Sequence, residues 1–289
     1  MNLRTQAEVF TKREFPFTPR DFRLIATIMR DQAGIVLSDV KAPLVYARLV
    51  KRLRALGLES FRHYCALVQS EEGGQEREQM VAALTTNVTR FFREPHHFEH
   101  LRVKVLPELV SHVRSGGRLR IWSAGCSTGE EPYSIALTVL SVLPDAPELD
   151  VRILATDISK KVLAIAERGI YSDAATSAVP RHQRAEWFSP TRDAERNKVW
   201  RVGNKLRSLV TFRELNLMAP WPMKQAYHAI FCRNVTIYFP DERHEQIWAR
   251  FASLLALDGC LYVGHSEKVS RSAGNFQLEG CTTYRLKDR

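Results

Sequence analysis

Residues 121–134 read IWSAGCSTGEEPYS, and the fold depends on how this stretch is taken. An apolar run from Leu119 to Trp122 meets two glycines, Gly125 and Gly129. Glu130, Glu131 and Pro132 then lead into Ile135, Leu137, Val139, Leu140 and Leu143 at helical spacing. This is a strand feeding a glycine loop and then a helix, the unit from which open parallel sheets are wound. Ligands of such sheets sit beyond the strands' carboxyl ends. Neither phosphate-binding pattern is present, because no lysine follows the glycines and G-x-G-x-x-G is missing. Carboxylates at a helix N-terminus are stabilised by the dipole and would repel a pyrophosphate. The loop therefore suits a ligand that is adenosine-like or cationic and carries no phosphate.

Downstream, VRILATD (151–157), LVTFREL (209–215), HAIFCRN (228–234) and CLYVGHS (260–266) repeat the short apolar, β-branched or aromatic run, separated mostly by helix-like stretches. That alternation predicts an α/β fold with a doubly wound, Rossmann-like parallel sheet. Asp157 ends the second strand, where a carboxylate can accept hydrogen bonds from ribose hydroxyls, although "DIS" also reads as a helix cap. Asn216 follows the third strand, and Arg233 with Asn234 the fourth. Polar groups at four consecutive strand ends, with a glycine loop at the first, indicate S-adenosylmethionine, whose positive sulfonium gives the carboxylates a purpose. Residues 170–210 break the rhythm and predict a small inserted subdomain.

Upstream the pattern is helical. Thr18-Pro19-Arg20-Asp21 opens a helix that stops near Gly34, a second runs from about Pro43 to Gly57, and a third follows Ser60. On the second helix Lys41, Arg48, Lys51 and Arg52 fall roughly on one side, which reads as a solvated charged face or, since no acid lies between 40 and 58, as a docking surface for an acidic partner. SEEGGQERE (70–78) is expected to be a hinge or loop.

Composition sets wider bounds. The chain has 289 residues, 45% hydrophobic, enough for one large α/β domain or two smaller ones. Its net charge of +10 predicts an acidic partner: nucleic acid, a membrane surface or a protein. The charged opening residues and the lack of a long apolar run lead us to expect a cytosolic protein without membrane insertion. The five cysteines are scattered and never Cys-x-x-Cys, so buried reduced thiols are expected, with neither disulfide framework nor metal site. The adjacent His96 and His97 are expected in surface or packing roles, Cys126 and Cys232 as pocket lining, and Phe91-Phe92 in the core in preference to stacking on adenine.

TTNVTRFFREPHHF (85–98), WSAGCSTGEEPYSIA (122–136), ATDIS (155–159) with ERGIY (167–171), NL (216–217), IFCRNVTIYF (230–239) and GHSE (264–267) together resemble the bacterial chemotaxis receptor methyltransferases, the CheR family. The resemblance runs in order over nearly the whole chain. It implies an S-adenosylmethionine-dependent protein-glutamate O-methyltransferase, releasing S-adenosylhomocysteine, that acts on the cytoplasmic signalling helices of methyl-accepting chemoreceptors. It also implies an N-terminal helical docking domain (1–75), a linking, cofactor-contacting segment (76–94), and a methyltransferase domain (95–289) with an antiparallel β subdomain inserted at about 170–210. Carried over by motif, Asn87, Thr89, Arg93, Gly125, Glu131, Asp157, Asn216, Leu217, Arg233 and Asn234 would line the cofactor site. Arg93 and Tyr238 would serve catalysis beside the reacting carboxylate, while Arg48, Lys51 and Arg52 would dock the receptor.

Some members carry a glycine-rich insertion in the β subdomain that docks a receptor C-terminal peptide. SPTRDAERNKVWRV (189–202) has no glycine, so independence of that tether is expected. A nucleic-acid methyltransferase is the basic-protein rival, but RNVTIYF stands where amino-methylating DNA enzymes carry (Asp/Asn)-Pro-Pro-(Tyr/Phe). A non-catalytic homologue that binds the cofactor is the other alternative. A monomer located near receptor arrays completes the expectation.

Overall fold

The computed structural model describes residues 14–85, 87–270 and 276–287. Residues 1–13, where the lack of an apolar leader was read, lie outside them, as does Thr86 of the motif at 85–98. The chain divides into two compact units, Met1–Thr86 with Tyr238–Pro240, and Asn87–Ile237 with Asp241–Arg289.

The first unit is helical. Helix α1 (Pro19–Ala33) begins with a reciprocal capping box between Thr18 and Asp21 and ends on Gly34 in the left-handed conformation. Helix α2 (Ala42–Leu56) follows a 3-10 turn (Asp39–Lys41), and α3 (Phe61–Gln69) is capped by the Ser60 hydroxyl. The expected hinge at 70–78 is ordered structure: a 3-10 turn, Glu71–Gly73, runs into α4 (Gly74–Leu84). Gly73 serves close approach, since a Cβ there would lie 1.9 Å from the Leu67 carbonyl oxygen. Arg77 ties the turn down by donating to the carbonyls of Val68 and Ser70 at 2.9 and 2.7 Å. Residues 76–84, expected within a linker, are therefore part of the helical unit.

In the second unit α5 (Pro95–His100), a π-turn (Leu101–Val105) and α6 (Leu106–Arg114) precede β1 (Leu119–Ala124). Then come α7 (Glu130–Val142), β2 (Val151–Asp157) and α8 (Lys160–Arg168). The insertion follows as β3 (Ile170–Ser172), α9 (Arg181–Trp187), β4 (Phe188–Arg192) and β5 (Lys198–Val202), forming an antiparallel sheet of order β3-β5-β4. A short α10 (Asn204–Ser208) leads to β6 (Val210–Glu214), β7 (Tyr227–Cys232), α11 (Asp241–Leu254), β8 (Leu255–Val263), β9 (Phe276–Gly280) and β10 (Thr283–Leu286).

The main sheet has the order β6-β2-β1-β7-β8-β10-β9. Strands β6 to β8 pair in parallel, and β10 pairs antiparallel with both neighbours. From β1 the chain steps outward to β2 and β6, then crosses to β7 on the other side. The strand order thus reverses between β1 and β7, the place where open sheets leave a ligand crevice. Both strands are almost wholly buried, matching the continuous apolar runs in the sequence.

Candidate active site

The β1 loop is shaped by its neighbours before any ligand is considered. Gly125 has φ +81°, and a Cβ there would stand 2.4 Å from a Val235 methyl, so the β1 and β7 loops touch where only glycine fits. The N–H groups of Gly125 and Cys126 both donate to the Thr156 carbonyl, at 2.8 and 2.9 Å. Asp157 finishes the turn: one carboxylate oxygen accepts from the Ser127 N–H at 2.9 Å, the other from the Ser159 N–H at 3.0 Å. Burial pushes its carboxyl above the usual range against those two bonds. The capping and loop-holding role of Asp157 is thus present in the fold. Ser127 also donates its hydroxyl to the Asn87 carbonyl at 3.0 Å, which brings the segment holding Asn87 and Thr89 to the loop.

The carboxylates of the opening stretch are bonded within the chain. Glu131 accepts from the Ser123 hydroxyl at 2.7 Å with one oxygen and from Arg233 Nε at 2.8 Å with the other. Glu130 accepts from the Thr128 hydroxyl at 2.6 Å, and burial raises its carboxyl.

Arg233 is the hub behind Arg93. Besides Glu131 it donates to the Arg93 carbonyl at 2.6 Å and to His97 Nδ1 at 3.0 Å, and it lies over the Phe98 ring. His97, expected only to pack, is fully buried, with Nε2 3.1 Å from the Cys281 carbonyl. An acceptor at Nδ1 and a donor at Nε2 define the neutral tautomer. Burial, reinforced by Arg233, pushes this imidazole down to about 3. The Arg93 side chain donates once, to the Val88 carbonyl at 3.0 Å, and its remaining guanidinium N–H groups have no partner among the described residues.

At the end of β7, Asn234 takes φ +58°, and its side-chain oxygen is buried without a hydrogen-bond partner. Asn216, after β6, accepts the Met218 N–H at 2.9 Å, while Leu217 is buried and its carbonyl accepts from Trp221 and Arg250. The β6 end is joined to the β2 end by Leu215 N–H donating to the Asp157 carbonyl at 3.0 Å. Asp157, Arg233 and Asn234 therefore share the sheet edge with Gly125, as the strand pattern predicted. Glu267, the acid of GHSE, is only 3% exposed and lies beside Asn234. Its one advance signal was that motif, because its partners are backbone groups that no spacing reveals.

Tyr238 belongs to the helical unit, where its carbonyl accepts the Val36 N–H at 2.9 Å and Lys41 Nζ stands 5.3 Å from its ring centroid. Arg48 donates to the carbonyls of Leu84 and Thr85, closing the end of α4, and Arg52 forms a two-pronged pair with Glu76. Of the three docking candidates, Lys51 is the exposed one. Phe91 packs edge-on against Tyr171 and Phe188 in the core. Burial pushes the thiols of Cys126 and Cys232 well above their ordinary value, so neither is a ready nucleophile. The clusters Glu94/His96/His97 and His100/Cys260/Glu279 gather possible metal ligands; Glu94 lies 3.1 Å from His265 and 3.8 Å from Arg233, and Glu279 pairs with Arg285 at 2.6 Å.

These features fit S-adenosylmethionine. A buried amide oxygen without a partner awaits a donor, the glycine turn admits close approach, and no lysine is present in the loop to select phosphate. Residues 20–85 match the family described as "CheR methyltransferase, all-alpha domain", and residues 87–285 match "CheR methyltransferase, SAM binding domain". A "Probable chemotaxis protein methyltransferase" of Rhizobium etli is 54% identical over 254 residues, 88% of this chain and 94% of that protein. The "Chemotaxis protein methyltransferase" of Escherichia coli is 42% identical, covering 92% and 90% of the two chains. "Chemotaxis protein methyltransferase 2" of Pseudomonas aeruginosa is 40% identical, covering 97% and 98%. S-adenosylmethionine is accordingly the cofactor of this site, and the chain belongs to the CheR methyltransferase family.

Proposed function

We propose that this protein methylates glutamate side chains on the cytoplasmic helices of chemoreceptors, forming glutamyl methyl esters for chemosensory adaptation. The observation that carries the reading is Arg93: one N–H anchors it to its own loop, Arg233 holds its backbone, and its other guanidinium N–H groups have no partner among the described residues.

S-adenosylmethionine supplies a methyl group on a positively charged sulfur. Asp157 would take its ribose and Asn234 would meet it with a side-chain amide, while Asn87, Thr89, Asn216 and Leu217 would complete the cofactor site. Among the described residues of this unit Glu130, Glu131, Asp157 and Glu267 are buried against a single buried arginine, Arg233, which would bias the crevice toward a cationic ligand although the whole chain is basic. An exposed glutamate is already ionised at neutral pH, with a reference pKa of about 4.3, so no general base is required. Arg93 would orient one carboxylate oxygen while leaving the other free. Excluding water from that carboxylate is the remaining contribution.

Independence of a receptor peptide tether belongs to this reading. The β4–β5 turn is short and closed on itself, with Asp193 accepting from the N–H and the side-chain amide of Asn197 at 2.8 and 3.1 Å. It leaves no glycine-rich extension to grip a peptide. A monomer in the cytoplasm near receptor arrays completes the proposal; among the described residues no helix is long and apolar enough to cross a membrane. The test is transfer of labelled methyl from S-adenosylmethionine to a receptor cytoplasmic fragment, followed by mild alkali. Label released as methanol is expected. Cofactor binding without transfer to any of several receptors would favour a non-catalytic role.

A further inference from the structure

Behind the β7 loop, Glu267 makes contacts that the proposed reaction has not used. One carboxylate oxygen accepts from the N–H groups of Val235 and Thr236 and from the Thr236 hydroxyl, at 3.0, 2.7 and 2.7 Å. The other accepts from the N–H groups of Asn234 and Gly264, at 2.7 and 2.6 Å. Every partner is a donor, so both oxygens act only as acceptors, the chemistry of a carboxylate in a nest of backbone N–H groups. The loop so held contains Asn234, a non-glycine residue with positive φ whose buried side-chain oxygen lacks a partner. Gly264 completes the enclosure, since a Cβ there would lie 2.5 Å from Asn234 Nδ2 and 2.8 Å from a Glu267 oxygen.

We propose that Glu267 is a positioning residue for the cofactor: by gathering the backbone donors of 234–236 it holds Asn234 in its left-handed conformation and presents the Asn234 amide to S-adenosylmethionine. This rests on the reading that Asn234 contacts the cofactor. A left-handed asparagine costs free energy that the surrounding structure must offset, and five bonds to one carboxylate are what offsets it here.

The test is a double-mutant cycle read by calorimetric titration with S-adenosylhomocysteine, on the full chain and at a temperature where circular dichroism shows every variant folded. Glu267→Gln replaces one acceptor oxygen by an NH2 group that faces backbone donors. Asn234→Ala removes the presented amide. Each single change is expected to weaken binding at least about tenfold, and the double variant is expected to bind within about twofold of Asn234→Ala, because Glu267 acts through Asn234. Losses that multiply in the double variant would assign Glu267 a role separate from Asn234 and overturn the proposal. Unchanged binding by Glu267→Gln beside weakened binding by Asn234→Ala would overturn it while leaving the site reading intact. Unchanged binding by Asn234→Ala would overturn the site reading itself. Should Glu267→Gln fail to fold, Gly264→Ala perturbs the same contact from the opposite side and is placed in the same cycle with the same expectation.

Discussion

Arg93 carries the sharpest expectation at the scale of a single residue. Its backbone is fixed by Arg233 and its side chain by one bond to Val88, so Arg93→Ala removes an orienting donor and little of the fold. Turnover on a receptor fragment should fall at least about a hundredfold, roughly the contribution of an aligned electrostatic donor, while the fragment still binds. Near-normal turnover would remove Arg93 from the mechanism. His97 gives a pH expectation. Its folded pKa lies near 3, below the 6.5 of the unfolded chain, and Arg233, Glu94 and His96 are the charged or titratable groups around it. Between those values the unfolded state holds the extra proton, so stability falls as pH drops below about 6.5. Burial pushes His100 and His228 in the same direction. His97→Gln should therefore lose less melting temperature than the parent between about pH 7.5 and about pH 5, by thermal scans at both values. An identical loss in both proteins would mean that His97 does not set this slope.

The basic helix α2 has to be judged as an element, because its charges have divided roles. Arg52 is bound to Glu76 of α4, which is 7% exposed and also accepts from the Tyr64 hydroxyl, while Arg48 closes α4 by its carbonyls. Removing Arg52 strands a buried carboxylate, so Arg52→Ala should cost about 2–4 kcal/mol in urea unfolding. Lys51 has no such partner among the described residues, and Lys51→Ala should leave stability within about 0.5 kcal/mol while raising the KM for the receptor fragment. Equal KM for Lys51→Ala and the parent would move the docking surface off α2. Periodicity found this helix and its ends, since caps and spacing are local. It could not find Glu76, which is distant in sequence, and so a face with no acid nearby read as wholly free.

For the whole molecule, charge is distributed in opposite senses: a net +10 overall, yet an excess of buried carboxylates among the described residues of the sheet unit. Surface attraction is screened over roughly 8–10 Å at ordinary ionic strength, and buried interactions are screened far less. Raising salt from about 0.05 to about 0.5 M should therefore raise the KM for an acidic receptor fragment several-fold and leave the Kd of S-adenosylhomocysteine nearly unchanged. Parallel weakening of both would place the basic surface at the cofactor instead of the partner.

The amino-acid sequence alone determined the layers of the fold. Burial on both faces of a parallel strand demands a continuous apolar run, a helix face demands its own spacing, and the glycine loop at 125–129 had to sit where strand becomes helix. It also placed Asp157, Arg233 and Asn234 at one sheet edge, because strand ends are local and parallel strands align them. Only the tertiary structure decided which groups those side chains meet. The carboxylates of the opening stretch are joined to Ser123, Arg233 and Thr128, Gly73 is a packing residue and not a hinge, His97 lies buried against Arg233, and Glu267 gathers the β7 loop. Each of these depends on a partner distant in sequence or on a backbone group. Backbone donors are the same at every residue, so no spacing or composition can announce which of them a side chain will find.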